Sequence, residues 1–150
     1  MMDPMTWTAS HVTRIDEPFV AAERAMLGGF LDWHRSTLLH KCSGLTGAQS
    51  AEQASPPPNL SLVGLVRHMA DVERTWFRRR FGAKTVESLY ARKDNPDAAF
   101  DDIDAARTEG DLACQVADGT PPGEPSPARR SIRSSSARWG RCPYGGPTAT

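Results

Sequence analysis

Several things are scarce in these 150 residues, and each scarcity closes off a class of protein. Cysteine occurs three times, as Cys42, Cys114 and Cys142, an odd number with no C-x-x-C pair. Nothing there suggests a disulfide framework or a zinc ribbon, and a reducing cytoplasm is the expected setting. No apolar run approaches the roughly 18 residues needed to cross a bilayer. The N-terminal stretch MMDPMTWTASHVTRIDEP also lacks the basic start and apolar run of a signal peptide. A soluble chain with no membrane partner is expected. Histidine occurs four times and never after His68. The chain has no phosphate-cradling glycine loop, no nucleophile elbow and no internal repeat. An excess of charge is missing too: 18 Lys and Arg balance 18 Asp and Glu. Overall charge therefore points to neither nucleic acid nor an acidic partner.

The balance hides a division. Residues 1–113 carry 13 basic and 16 acidic groups, whereas 114–150 carry 5 and 2. The last 37 residues also hold six prolines, five glycines, five serines and five arginines. Such a stretch buries too little apolar surface to offset chain entropy, so residues 118–150 are expected to be a disordered tail. Its segment ARRSIRSSSARWGR has Arg and Trp able to touch nucleic acid by charge and stacking, but no fold presents them, and nucleic acid is not an expected partner. Residues 1–15 are unpatterned and read as a flexible arm.

Between these ends the pattern is helical. Over Leu60–Phe81, LSLVGLVRHMADVERTWFRRRF, the residues Leu62, Leu65, Val66, Met69, Val72, Trp76 and Phe77 recur at three- and four-residue steps, an apolar stripe along one helix face. Ser61, with Asn59 as its rival, is placed to cap the first turn. Arg78, Arg79 and Arg80 suit the negative end of the macrodipole, Gly82 is the expected left-handed stop, and Arg67 can pair with Asp71 on the surface. His68 projects from the stripe or its edge.

A second helix should open at Asp16-Glu17-Pro18 and run from Phe19 to Cys42, with Phe19, Met26, Leu27, Phe30, Leu31, His34, Leu38 and Cys42 as its stripe and Gly44 as its stop. Gly28-Gly29 weakens it by roughly 1 kcal/mol per glycine relative to alanine, so tertiary packing must hold it. Residues 43–59 read as a loop. Tyr90 and Phe100 are placed to tack the acidic stretch ESLYARKDNPDAAFDDID onto the bundle. Asp104 can cap a further helix reaching about Val116, with Leu112 and Val116 inward. His34 and Cys42 lie eight residues apart, about 12 Å along a helix axis, too far to share one tetrahedral metal. Cys42 reads as a small buried hydrophobe rather than a nucleophile.

Three segments in order, DEPFVAAERAMLGGFLDWHRSTLLHKCSGL, LSLVGLVRHMADVERTWFRR and DNPDAAFDDID, resemble the DinB/YfiT-like superfamily, within it the mini-circle protein branch of unknown function. The similarity covers roughly residues 14–113. It implies an all-α, four-helix bundle binding a divalent metal such as zinc or nickel through three histidines, one on the second helix and two on the last. Relatives include mycothiol-dependent maleylpyruvate isomerase and S-transferases that use low-molecular-weight thiols, where the metal activates the thiolate. On this resemblance His68 occupies the second-helix ligand position, with Asp71 and Glu73 nearby as supporting or pairing groups.

The chain departs from the pattern after about Ala113, where a histidine-bearing fourth helix should follow. The expected architecture is therefore a bundle over residues 16–117 truncated to two long helices and part of a third, with an incomplete metal site. A reading-frame shift in a GC-rich gene would produce such a change of text. Three readings stay open: a metal-dependent thiol transferase or isomerase, an inactive truncated or frameshifted bundle, and an interaction protein forming a homodimer through exposed helix faces.

Overall fold

The computed structural model describes residues 7–56, 59–118 and 142–144. All regular elements among them are helical: α1 (Glu23–Cys42), α2 (Gly47–Ala51), α3 (Leu62–Glu73), α4 (Ala98–Asp101) and α5 (Thr108–Asp118). Helix α3 is the hub, packing along α5 and also touching α4, α2 and, more lightly, α1. The all-α expectation holds, with five α-helices among the described residues. The expected disordered tail lies outside the described residues apart from Asp118 and residues 142–144.

Ser61 caps α3 as its sequence indicates, its Oγ accepting from Gly64 N–H at 3.1 Å. The helix then widens into a π-helical turn over Arg74–Arg80. The left-handed residue that ends it is Ala83 (φ 49°), one beyond the expected Gly82. The inward face also differs from the predicted stripe. Val63, Val66, Arg67, Ala70, Asp71 and Glu73 are buried, while Leu65, Met69 and Val72 are half-covered and Trp76 is exposed. The stripe was drawn from apolar residues alone, whereas the buried face takes three charged groups that find partners.

Helix α1 starts at Glu23, later than predicted, and Ala22 gives it no side-chain cap. Asp16–Pro18 do not open it. They run back across it, and a Cβ at Gly29 would come within 2.7 Å of Pro18 Cδ. Glycine at 29 is what admits that crossing. Only the C-terminal half of α1 enters the core, through Asp32, Ser36, Leu39 and Cys42. Of the predicted stripe Cys42 is buried and Leu38 packs against the core, while Phe19, Met26, Leu27, Phe30 and Leu31 are exposed, Phe19 at 83%.

Two clusters make the core. The larger holds Trp7, Ala9, Val12, Leu39, Cys42, Val66, Leu112 and Ala113. Trp7, Ala9 and Val12 come from the stretch expected to be a flexible arm. Backbone bonds fix it instead: Ala9 N–H donates to Leu45 O (2.9 Å) and Gly44 N–H to Ala9 O (2.8 Å). The smaller cluster joins Ala70, Tyr90 and Ala99, with Phe100 and Leu89 packed against it, so Tyr90 and Phe100 do tack the acidic stretch onto α3. Asp104 accepts from Ala106 N–H at 3.0 Å and leads through a 3-10 turn into α5, with Leu112 fully buried.

Candidate functional site

Charged residues of α1 and α3 and an amide of α5 meet between the three helices. Arg35 of α1 donates from Nε and Nη2 to the Glu73 carboxylate of α3, at 2.6 to 3.0 Å, and from Nη1 to Asp32 Oδ1 at 2.9 Å. Gln115 of α5 donates to Glu73 Oε1 at 3.3 Å, while its own Oε1 finds no hydrogen-bond partner among the described residues. Burial lowers the affinity of the Arg35 guanidinium for its proton, but Glu73 and Asp32 outweigh it and hold the pKa above its ordinary value. Glu73 is thus a pairing residue, one of the two roles its sequence position allowed.

Arg67 and Asp71, expected to pair on the surface, are both buried and bond elsewhere. The Asp71 carboxylate accepts backbone N–H bonds from Leu89 (2.5 Å), Tyr90 (3.1 Å) and Ala91 (2.9 Å), clamping that loop to α3. Arg67 donates to Asp102 O (2.5 Å) and Ala98 O (3.2 Å), and its guanidinium lies 4.4 Å from the centre of the Tyr90 ring. Its Nε finds no hydrogen-bond partner among the described residues.

Beside this clamp opens a cleft of about 830 Å³ between α3, the 87–93 loop and α5. Tyr90 and Asp111 form its polar floor, the Tyr90 hydroxyl donating to Asp111 Oδ1 at 2.9 Å. Burial, then the charge and hydrogen bond of Asp111, raise the Tyr90 hydroxyl above its ordinary value. Burial likewise pushes the Asp111 carboxyl up to about 6, against the opposing pull of Tyr90, Arg67 and Arg107. The walls add Arg79, Lys93 and Arg107, together with Tyr144. A buried acid that exchanges its proton near neutrality, beside cations in a cleft, is a common arrangement for binding and proton transfer.

The histidines do not converge. His68 is exposed, its ring 5.1 Å from that of Phe100. His34 lies against Phe30 and Trp33, and His40 Nδ1 is 2.8 Å from Val12 O with His11 edge-on to its ring. No group of three His, Cys, Asp or Glu able to hold a metal occurs among the described residues. The described side chains therefore do not fit the metal centre that the resemblance implies. Cys42 is fully buried and its thiol is pushed up to about 11 by that burial, as suits a packing residue. Cys114 and Cys142 form a disulfide, contrary to the expectation of none. A widely spaced pair carries no sequence signature of its own.

The described residues make a small all-α bundle with a polar seam and a mixed-charge cleft, and the family-model match places the chain in the DinB/YfiT-like superfamily. More narrowly, residues 26–114 match the family model described as mycothiol-S-transferase, and the chain belongs to that family. The match contains Arg35, Arg67, Glu73, Tyr90 and Asp111. No curated protein matches the chain, and no solved structure does.

Proposed function

We propose that this protein acts with a low-molecular-weight thiol of the mycothiol kind, as an S-transferase, and takes the small molecule in the cleft over Tyr90 and Asp111. The observation that carries this is the family match, which spans more than half of the chain and includes the floor of the cleft. Arg79, Lys93 and Arg107 offer positive charge to the thiolate or to an anionic acceptor, and Asp111 is a group there that can hold or release a proton near neutral pH. His68 keeps the sequence position of a family metal ligand, and a centre there needs further ligands from outside the described residues.

The test is binding of reduced mycothiol by calorimetry and its transfer to a fluorogenic thiol acceptor, on the wild type and Asp111→Asn. Saturable binding, with turnover that falls at least about tenfold in the variant, is expected for a group in proton transfer. No binding and no turnover above the uncatalysed rate would sink the proposal. Metal analysis of the purified protein beside His68→Ala is run in parallel; stoichiometric metal lost in the variant assigns His68 a ligand role.

A second reading is favoured by one observation, the apolar surface left open. Phe19, Val20, Leu27, Phe30, Trp76 and Phe81 are all exposed. A second copy of the chain covering these side chains makes a homodimer, whether or not the bundle is active.

A further inference from the structure

The Cys114–Cys142 disulfide anchors three residues that lie outside the family match, which ends at Cys114. These residues lie along α5 as a short strap. A Cβ at Gly110 would approach the Pro143 ring to 3.0 and 3.1 Å, so glycine there lets the strap lie close to the helix. Tyr144 follows, its ring 5.6 Å from that of Tyr90 and the Arg107 guanidinium 4.7 Å from its centre. The strap thus supplies one wall of the cleft. Its two cysteines differ in exposure: Cys114 is wholly buried on α5, whereas Cys142 is partly exposed. Access decides which sulfur of a disulfide a thiolate can attack.

We propose that this disulfide is a thiol-exchange site, at which a low-molecular-weight thiol becomes covalently attached to Cys142 beside the cleft. The thiolate forms a new S–S bond to Cys142 Sγ. The Cys114–Cys142 bond breaks, its electron pair goes to Cys114 Sγ, and that sulfur takes up the proton the thiol gave. One disulfide is exchanged for another, so no external oxidant enters. A second thiol molecule attacking the mixed disulfide frees Cys142 and leaves as the symmetrical small-molecule disulfide. The adduct holds the thiol next to Tyr144 and Arg107, and loss of the Cys114 tether frees the strap from α5. This deepens the thiol reading given above and rests on it.

The test uses the full-length oxidised protein incubated with reduced mycothiol, quenched with acid and analysed by intact-mass and peptide mass spectrometry. Cys114→Ser is treated in parallel with the disulfide form of mycothiol. The expected result is one thiol per chain on Cys142 in both proteins, forming at least about tenfold faster than any adduct on buried Cys42. A wild-type disulfide that persists with no adduct in either protein overturns the proposal, as does an adduct mapped to Cys42 or Cys114. The transfer assay on Cys142→Ser separates the two claims. Transfer retained in Cys142→Ser, with no adduct in the wild type, overturns the exchange site and leaves the transferase in place. An adduct on Cys142 in a protein with no transfer activity establishes the exchange site and removes the transferase.

Discussion

Arg35 bridges two buried carboxylates, Asp32 on its own helix and Glu73 on α3, and so ties α1 to α3. Arg35→Ala leaves the buried Glu73 carboxylate without the guanidinium that pairs with it, a loss expected to cost about 3–5 kcal/mol, as for other broken buried pairs. Glu73→Gln keeps the cation paired with Asp32 and should cost distinctly less; urea unfolding of the two variants checks the order. Asp111 acts in the opposite sense. Its carboxyl is raised from 3.8 to about 6, so between those values the folded chain holds a proton that the unfolded chain has released. Its contribution to stability is therefore favourable at the acid end and is lost as pH rises through about 6. The stability of Asp111→Asn relative to wild type should improve by roughly 2 kcal/mol from about pH 4 to pH 7, which thermal unfolding across that range measures.

Among the elements, α2 shows how much was legible and what was passed over. Thr46 and Gln49 form a reciprocal capping box, Thr46 Oγ1 accepting from Gln49 N–H at 3.2 Å and Gln49 Oε1 from Thr46 N–H at 2.9 Å. The T-x-x-Q spacing was in the sequence, but its five-residue helix carries no apolar period and read as loop. Thr46→Ala should cost about 1 kcal/mol and show as a lower thermal midpoint. Helices α3 and α5 were readable because caps and apolar period agreed, at Ser61 and Asp104. The start of α1 was not, because Asp16-Glu17-Pro18 is a good opening only if the chain continues in the same direction. Pro18 lies across Gly29 instead. The cleft was the least legible part. Tyr90 and Asp111 are 21 residues apart, and their pairing depends on the loop that Asp71 clamps. The buried seam had a readable signal, since Asp32 lies four residues before Ser36 and seven before Leu39 on the inner face of α1. A charge at that spacing asks for a buried partner.

At the scale of the whole molecule, the open apolar surface decides behaviour in solution. The exposed side chains lie on the stretch before α1, along its N-terminal half, and at the end of α3. So many large apolar side chains left open favour association. Sedimentation equilibrium is expected to show a concentration-dependent dimer that Phe30→Glu with Leu27→Glu converts to monomer. A wild type that stays monomeric across that range removes the interaction reading. Among the described residues no helix is long and apolar enough to cross a membrane, so that surface is not a spanning segment.

The bond between Cys114 and Cys142 also changes the topology of the chain. It closes a covalent ring across 28 positions of sequence, outside the region that the family shares. A single peptide-bond cut anywhere within that ring opens it without releasing a fragment, because both ends remain joined through sulfur. Limited proteolysis there should leave one band on a non-reducing gel and two after reduction. Clipped molecules would therefore keep Tyr144 tethered near Tyr90 until a thiol arrives, and the same reagent that loosens the strap would then shed it for good.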